Sequence, residues 1–374
     1  MKKLIIHIGT GKTGISSIRS SASASTSALA EHDIFYLGQF FERSIPASTT
    51  TNTWIHKGAH HIRDHWNTDT EKIFHQELGD LMASLPDKST CFILNESLHH
   101  LHFPFAHSLK NFEEKSDIEI KIKSYARAHG AYSTSAYKQW GLKHKANIGP
   151  TLSYRDWCDR YKKLFICYGQ QLKAWKDVFQ GQMSTYNYDL IENAVVHFQN
   201  ILRNESHNQL VSLEKSEERS NKTPSIDRLL LHALSNHGIQ QEALPEDLDK
   251  LLKRYPIPEQ GIANLNLLSL VPTTQEIEAL TTSDEVLEDH MVVNNLLKAS
   301  NEKPITRPSQ SLEDAQGLPT EHTLSTKVLC SLVSILIRQD KTVQRMEDDI
   351  RELQNHLYDL KSKTTFQPEN NVND

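Results

Sequence analysis

The chain has 374 residues, 37% of them hydrophobic, and a formal net charge of −6, which is typical of a globular protein and excludes a disordered chain. No apolar run approaches the ~20 residues of a membrane-spanning helix, and the N-terminal apolar stretch is too short for a signal peptide, so we predict neither. Widely spaced cysteines without a metal-ligand pattern predict a reduced, cytoplasmic protein with no metal site: Cys91, Cys158, Cys167 and Cys330.

The first 205 residues alternate between short apolar runs and amphipathic stretches, a pattern that predicts a three-layer α/β core with a parallel sheet. The predicted strands are Leu4–Ile8, Ile34–Leu37, Cys91–Leu94, Ile118–Tyr125 and Met183–Tyr188. The predicted helices are Ile15–Glu31, Glu71–Leu85, Tyr132–Trp140, Tyr154–Phe179 and Ile191–Leu202. Residues 38–70 and 98–116 are interpreted as including irregular loops.

Strand signals disappear after residue 205, and residues 206–300 are predicted to form a helical flank that completes one domain, residues 1–300. Its predicted helices begin at Thr223-Pro224-Ser225 and cover Ala243–Tyr255 and Gln275–Ala299. Residues 301–323 contain three prolines among polar residues and are predicted to be a linker.

A heptad repeat in residues 324–363 predicts a coiled-coil helix, followed by a disordered polar tail at 364–374. Its ten seam positions are Leu329, Leu332, Leu336, Gln339, Val343, Met346, Ile350, Leu353, Leu357 and Leu360, and all except Gln339 are apolar. We therefore expect a homo-oligomer through residues 329–360. The alternative is a single amphipathic helix that folds back on its own domain.

The glycine loop, Gly9–Gly14, follows the first apolar strand and precedes a helix that carries Ser16 and Ser17. Backbone N–H groups of such a loop and the N-terminus of the helix point at one spot, which is the geometry that binds phosphate. A Walker A loop needs a glycine at position 6, where this chain has Ile6. The shorter loop disfavours a nucleotide kinase without excluding it.

The stretch Gly11-Lys12-Thr13-Gly14-Ile15-Ser16-Ser17 resembles the phosphosulfate-binding loop of bacterial, carbohydrate-type sulfotransferases, which use 3′-phosphoadenosine 5′-phosphosulfate (PAPS). The resemblance implies a P-loop-like sulfotransferase fold in which this loop holds the 5′-phosphosulfate without a metal. The residues that it assigns to PAPS binding are Thr10, Gly11, Lys12, Thr13, Gly14, Ser16 and Ser17. Ile15 departs from the family, which usually has a threonine there.

A second match to this family lies at the end of the fourth predicted strand. Arg127 ends that strand and Ser135 follows eight residues later, the spacing at which sulfotransferases grip the 3′-phosphate of PAPS. Lysines and arginines are also concentrated nearby, with 14 Lys and Arg against 7 Asp and Glu between Lys110 and Asp177. This local net charge of +7 favours a small anionic ligand over nucleic acid.

Glu96 follows the third predicted strand, at the position where the resemblance implies a general base. The alternative is that Glu96 caps the next helix, and His99, His100 or His102 could act as the base instead. Because ligands bind at the carboxyl ends of parallel strands, we expect Glu96, Lys12 and Arg127 to converge. Lys12 would stabilise charge on the leaving nucleotide.

The sequence therefore predicts an enzyme that transfers a sulfuryl group from PAPS to a hydroxyl of a carbohydrate. Two other functions stay open, a P-loop nucleotide kinase or triphosphatase and a non-catalytic coiled-coil assembly protein with a vestigial pocket. The only candidates for a third PAPS-binding loop are Arg219, Asn221 and Lys222.

Overall fold

A computed structural model describes residues 1–42, 66–145, 147–208, 210–214, 272–306 and 342–356, with single positions in the intervening segments. The chain forms two compact units. The first comprises Met1–Lys138, Ser153–Pro224 and Val271–Ala315, and the second comprises Gln139–Leu152, Ser225–Leu270 and Gln316–Asp374.

The first unit is built on a five-stranded sheet in which every pairing is parallel. The strands, in chain order, are β1 Lys2–His7, β2 Ile34–Tyr36, β3 Thr90–Leu94, β4 Ile118–Ala126 and β5 Met183–Asn187. Their order across the sheet is β2-β3-β1-β4-β5. All five predicted strands are confirmed, with ends that differ by one or two residues.

Ten helices among the described residues accompany the sheet. They are α1 Ile15–Ala24, α2 Thr26–Ala30, α3 Thr68–Ser84, α4 His107–Glu114, α5 His129–Ala136, α6 Tyr154–Tyr161, α7 Gly169–Phe179, α8 Ala194–Ser206, α9 Thr274–Thr281 and α10 Asp284–Ala299. Short 3₁₀ turns cover Glu96–Leu101 and Tyr188–Leu190, immediately after β3 and β5.

Helices cover both faces of the sheet, as the apolar strands predict. On one face, Ile5 and Phe92 pack with Ile18 of α1 and Phe198 of α8 in a single buried cluster. On the other face, α4 and α7 lie against β4, and Trp175 of α7 is fully buried. Burial of each such side chain stabilises the fold by about 1.5–3 kcal/mol. The three-layer α/β architecture follows from these two cores.

Three of the sequence predictions about helices are wrong in detail. The predicted helix Ile15–Glu31 is divided at Ser25 into α1 and α2, and Gln275–Ala299 is divided into α9 and α10. The predicted helix Tyr154–Phe179 is broken after Ile166, and a new helix, α7, begins at Gly169. The Asp289 carboxylate stabilises this new start, because it accepts hydrogen bonds from the first two N–H groups of α7. Within 98–116, predicted to include irregular loop, the chain forms α4.

The described part of the second unit includes a helix over residues 342–356. Four apolar seam positions of the heptad are solvent-exposed on it: Val343, Met346, Ile350 and Leu353. The remaining seam positions, apart from Gln339, lie outside the described residues, as do residues 307–323 of the linker and the tail 364–374. Within the described part of the chain, no helix is long and apolar enough to cross a membrane.

Candidate active site

The order of the strands brings three predicted site segments to one place. After β1 the chain forms β2 and β3 on one side of β1, and then β4 and β5 on the other side. β1 therefore lies between β3 and β4, at a topological switch point. Ligands of open parallel sheets bind in the crevice at the carboxyl ends of such strands. The glycine loop follows β1, Glu96 follows β3 and Arg127 follows β4.

His7, the last residue of β1, supports the glycine loop through a hydrogen bond. The backbone N–H of Gly9 donates to His7 Nδ1 at 3.3 Å, and a Cβ at position 9 would lie 2.5 Å from His7 Cε1. Burial lowers the pKa of His7 to about 3, which keeps the imidazole neutral and Nδ1 available as an acceptor. The loop therefore requires both the glycine and the neutral histidine.

The predicted hydroxyl ligands of the loop divide into two groups. Thr10 and Thr13 are fully buried, and their hydroxyls donate to the backbone carbonyls of Tyr125 and Thr10, at 3.2 and 2.6 Å. These two hydroxyls stabilise the loop itself, so only their backbone N–H groups remain for a ligand. Ser16 and Ser17 are half-buried at the start of α1.

The departure at Ile15 does not place an apolar side chain in the mouth of the loop. Ile15 is 4% exposed and belongs to the hydrophobic core that α1 shares with the sheet. Lys12, by contrast, is half-buried and has a left-handed backbone with φ of 62°. Gly14 also has positive φ, 77°, immediately before α1. Positive φ at Lys12 and Gly14 is typical of turns in which successive N–H groups converge on an anion.

Arg127 lies against the glycine loop. Its Nη1 donates to the carbonyl oxygen of Lys12 at 3.3 Å, across 115 residues of sequence. Its Nε lies 3.5 Å from Asp189 Oδ1, and its guanidinium carbon lies 5.6 Å from the ring centroid of Tyr188. Asp189 Oδ2 also accepts a hydrogen bond from the N–H of Ala128 at 2.7 Å. Arg127 is therefore fixed in orientation by groups of the segments that follow β1 and β5.

A buried network supports the backbone at Arg127. The Tyr168 hydroxyl donates to the carbonyl of Arg127, and the Tyr168 ring stacks on His129 with centroids 5.1 Å apart. His129 Nε2 lies 2.9 Å from Asp289 Oδ2, and both side chains are 2% exposed. Asp289 in turn accepts from the N–H of Gly169 at 2.8 Å. The network connects the end of β4 to the start of α7.

Ser135 lies in the last turn of α5 and is half-buried. Within the described residues, Ser135 and Arg127 form no hydrogen bond with each other. The neighbouring Ser133 is fully buried and bonded to the Tyr154 hydroxyl at 2.7 Å, which is a structural contact. Of these serines, Ser135 is therefore the one whose position leaves it available to a ligand.

Glu96 is paired with an arginine of α1. Glu96 Oε1 accepts a hydrogen bond from Arg19 Nη2 at 3.2 Å, and the same nitrogen donates to Ser16 Oγ at 3.3 Å. Asn95, not Glu96, caps the following turn, since its Oδ1 accepts from the N–H of Ser97 at 2.9 Å. The capping alternative for Glu96 is thus wrong, and its carboxylate faces α1.

Sequence reasoning missed Arg19, Asp189 and the pair of His129 with Asp289. A signal was present for Asp189, which follows the fifth predicted strand at the functional edge of the sheet. The other contacts join residues at least 77 positions apart and have no local pattern.

The histidines give no metal centre among the described residues, where no group of three or more His, Cys, Asp or Glu side chains could hold an ion. His99 is buried, and its ring lies against that of His100 with centroids 3.7 Å apart and the ring planes tilted by 39°. Four histidines that are close in sequence, His56, His60, His61 and His65, lie outside the described residues, as do the candidates for a third PAPS-binding loop, Arg219, Asn221 and Lys222.

The chain was also compared with known proteins. No family model matches it, and no curated protein matches it either.

Proposed function

We propose that this protein is a PAPS-dependent sulfotransferase that acts on a hydroxyl of a carbohydrate. The observation that carries the proposal is the hydrogen bond between Arg127 Nη1 and the carbonyl of Lys12, which sets two anion-binding segments side by side. An arginine fork and a glycine loop at one switch point suit a ligand with two separate anionic groups, as PAPS has.

The residues present fit such a donor. The N–H groups of Thr10 to Gly14, with Ser16 and Ser17, would hold the 5′-phosphosulfate, while Arg127 and Ser135 would hold the 3′-phosphate. Because Ile15 packs into the core, only its backbone N–H faces the loop, so the missing threonine removes one hydroxyl contact and adds no obstruction.

In the proposed reaction, Glu96 takes the proton of the acceptor hydroxyl while the hydroxyl oxygen bonds to sulfur. The bond between sulfur and the 5′-phosphate oxygen breaks, and adenosine 3′,5′-bisphosphate leaves with the electron pair. Lys12 stabilises the negative charge that develops on that oxygen. The displacement is in line, as for phosphoryl groups.

The rival kinase function needs a carboxylate that is open to Mg²⁺. Glu96 is paired with Arg19, and Asp189 is paired with Arg127 and the N–H of Ala128. Each of these two carboxylates therefore has a cationic or N–H partner. This pairing favours a reaction that proceeds without a metal.

Self-association is the second proposal, and the exposed seam on helix 342–356 supports it. Four apolar side chains at heptad spacing are what a second copy of the helix would bury. A protein whose only role is assembly would keep this helix and lose the reaction.

Transfer of label from radiolabelled PAPS to a mixture of methyl glycosides tests the proposed reaction. Loss of the Lys12 ammonium by Lys12→Ala should lower kcat by about 10²–10³, the usual effect of removing a donor to developing charge. Lys72→Ala on α3 is the matched control, because Lys72 is exposed and forms an ion pair with its helical neighbour Asp69, away from the glycine loop. No transfer by the unaltered protein, or equal transfer by Lys12→Ala, would contradict the proposal.

A further inference from the structure

A single nitrogen of Arg19 is hydrogen-bonded to two residues of the candidate site, Ser16 and Glu96. Arg19 Nη2 donates to Ser16 Oγ at 3.3 Å and to Glu96 Oε1 at 3.2 Å. Ser16 and Arg19 are three residues apart on α1, so they share one face of the helix. The guanidinium of Arg19 therefore connects α1 to Glu96, the second residue after β3.

The pairing leaves the two oxygens of Glu96 in different states. Oε1 is held by Arg19, while Oε2 is shielded from water and receives no hydrogen bond from the described residues. A buried carboxylate oxygen without a donor is unfavourable unless a hydroxyl or N–H group satisfies it. If Glu96 is a general base, the hydroxyl of the acceptor substrate is the group that would donate a hydrogen bond to Oε2.

We infer that Arg19 is a positioning residue for the proposed sulfuryl transfer, and this inference rests on the proposed function. Arg19 holds Glu96 by Oε1 so that Oε2 faces the acceptor hydroxyl. Through Ser16, it also fixes the carboxylate relative to the loop that holds the sulfuryl donor. Arginine suits this role because its planar guanidinium bonds in fixed directions, unlike the ammonium of lysine.

Stability alone does not account for the pair. Arg19 and Glu96 are 20% and 29% exposed in their side chains, and partly exposed ion pairs contribute little to folding. A misplaced catalytic group, in contrast, can lower the rate by about 10². Substitution of Arg19 should therefore change kcat far more than it changes the melting temperature.

A double-mutant cycle between Arg19→Gln and Glu96→Gln is the test, with label transfer from PAPS to methyl glycosides as the rate. Arg19→Gln should lower kcat at least tenfold and change the Kd of adenosine 3′,5′-bisphosphate less than twofold. In the Glu96→Gln background the same substitution should change kcat less than twofold, because Arg19 acts through Glu96. Arg19→Lys should restore only part of the rate.

Arg160→Gln on α6 is the matched control and should leave the rate unchanged. Multiplicative effects of Arg19→Gln and Glu96→Gln would overturn the inference, because they would mean that Arg19 acts independently of Glu96. Loss of bisphosphate binding in Arg19→Gln would also overturn it, since Arg19 would then belong to the donor site. If the unaltered protein binds no bisphosphate, the proposed function fails along with it.

Discussion

His7 shows how one buried side chain shapes the glycine loop. It is fully buried beneath the loop, packs edge-on against Tyr125 with ring centroids 4.6 Å apart, and accepts the N–H of Gly9. Because burial lowers its pKa to about 3, the folded protein keeps this ring neutral at pH values where an unfolded histidine is protonated.

This difference makes the stability of the protein sensitive to acid. Below pH ~6.5 the unfolded chain takes up a proton at His7 that the folded chain does not, so unfolding becomes easier as pH falls towards 3. We expect His7 to lower the free energy of unfolding by about 1.4 kcal/mol per pH unit in that range. Denaturant titrations of the wild type and His7→Asn between pH 4 and pH 7 measure the free energy of unfolding as a function of pH. The slope of this free energy against pH should be shallower in the variant.

His7→Phe separates the two roles of His7. It removes the proton uptake and the acceptor together, so the slope should again be shallow while stability at pH 7 falls by about 1–3 kcal/mol for the unsatisfied N–H of Gly9. Equal slopes in the wild type and both variants would contradict this account of His7.

At the scale of single residues, the sequence predicted which segments meet but not which side chains face the ligand. Thr10 and Thr13 have the residue type expected of phosphate ligands, yet their hydroxyls bond to the backbone. Ile15 differs from the threonine usual in the sulfotransferase loop that this stretch resembles, and its side chain lies in the core. The direction of each side chain depends on the positive φ at Lys12 and Gly14, which residue type alone does not specify.

At the scale of elements, the start of α1 depends on Gly14. Gly14 has φ of 77°, and a Cβ there would lie 2.7 Å from Cβ of Ala194, the first residue of α8. Both the backbone conformation and the space exclude a side chain. The predicted loop glycine thus also fixes how closely α1 approaches α8.

Gly14→Ala should lower the free energy of unfolding by about 1–3 kcal/mol, the cost of backbone strain at one residue, and abolish bisphosphate binding. Adding Ala194→Gly should relieve the contact and recover part of the stability, although the strain remains. Gly181→Ala, where a Cβ meets nothing within 4 Å, is the control. Chemical denaturation and calorimetric titration measure both effects, and full rescue by Ala194→Gly would mean that strain plays no part.

The elements that sequence reasoning predicted best are those specified by their own residues. β1 and β3 contain continuous apolar runs, Leu4-Ile5-Ile6 and Phe92-Ile93-Leu94, and a run buried on both faces indicates a strand of a parallel sheet. The break before α7 was missed because it depends on Asp289, 120 residues away, which accepts the first N–H groups of that helix. Local periodicity continues through the break and carries no signal for it.

At the scale of the whole molecule, the heptad predicts association between copies. The exposed side chains on helix 342–356 include Ile350 and Leu353, at 53% and 67% exposure. Placing a charge at both positions, Ile350→Glu with Leu353→Glu, should convert an oligomer to a monomer in sedimentation experiments, because the seam cannot bury carboxylates.

Gln344→Glu with Asn355→Glu adds the same charge away from the seam and should leave the oligomer intact. A monomeric wild-type protein, or dissociation by both double variants, would contradict the proposed seam. Most of the predicted coiled-coil helix, residues 324–363, lies outside the described residues, and for that part the prediction rests on the sequence pattern.

The central claim is that the crevice beside β1 binds a nucleotide with both a 3′-phosphate and a 5′-phosphate. Calorimetric titration with adenosine 3′,5′-bisphosphate in EDTA tests it most directly, with ATP and Mg²⁺ as the parallel titration. We predict micromolar binding of the bisphosphate that is lost in Arg127→Ala. Binding of ATP with Mg²⁺ and none of the bisphosphate would contradict the account and favour a kinase, whereas no binding of either would favour an assembly protein.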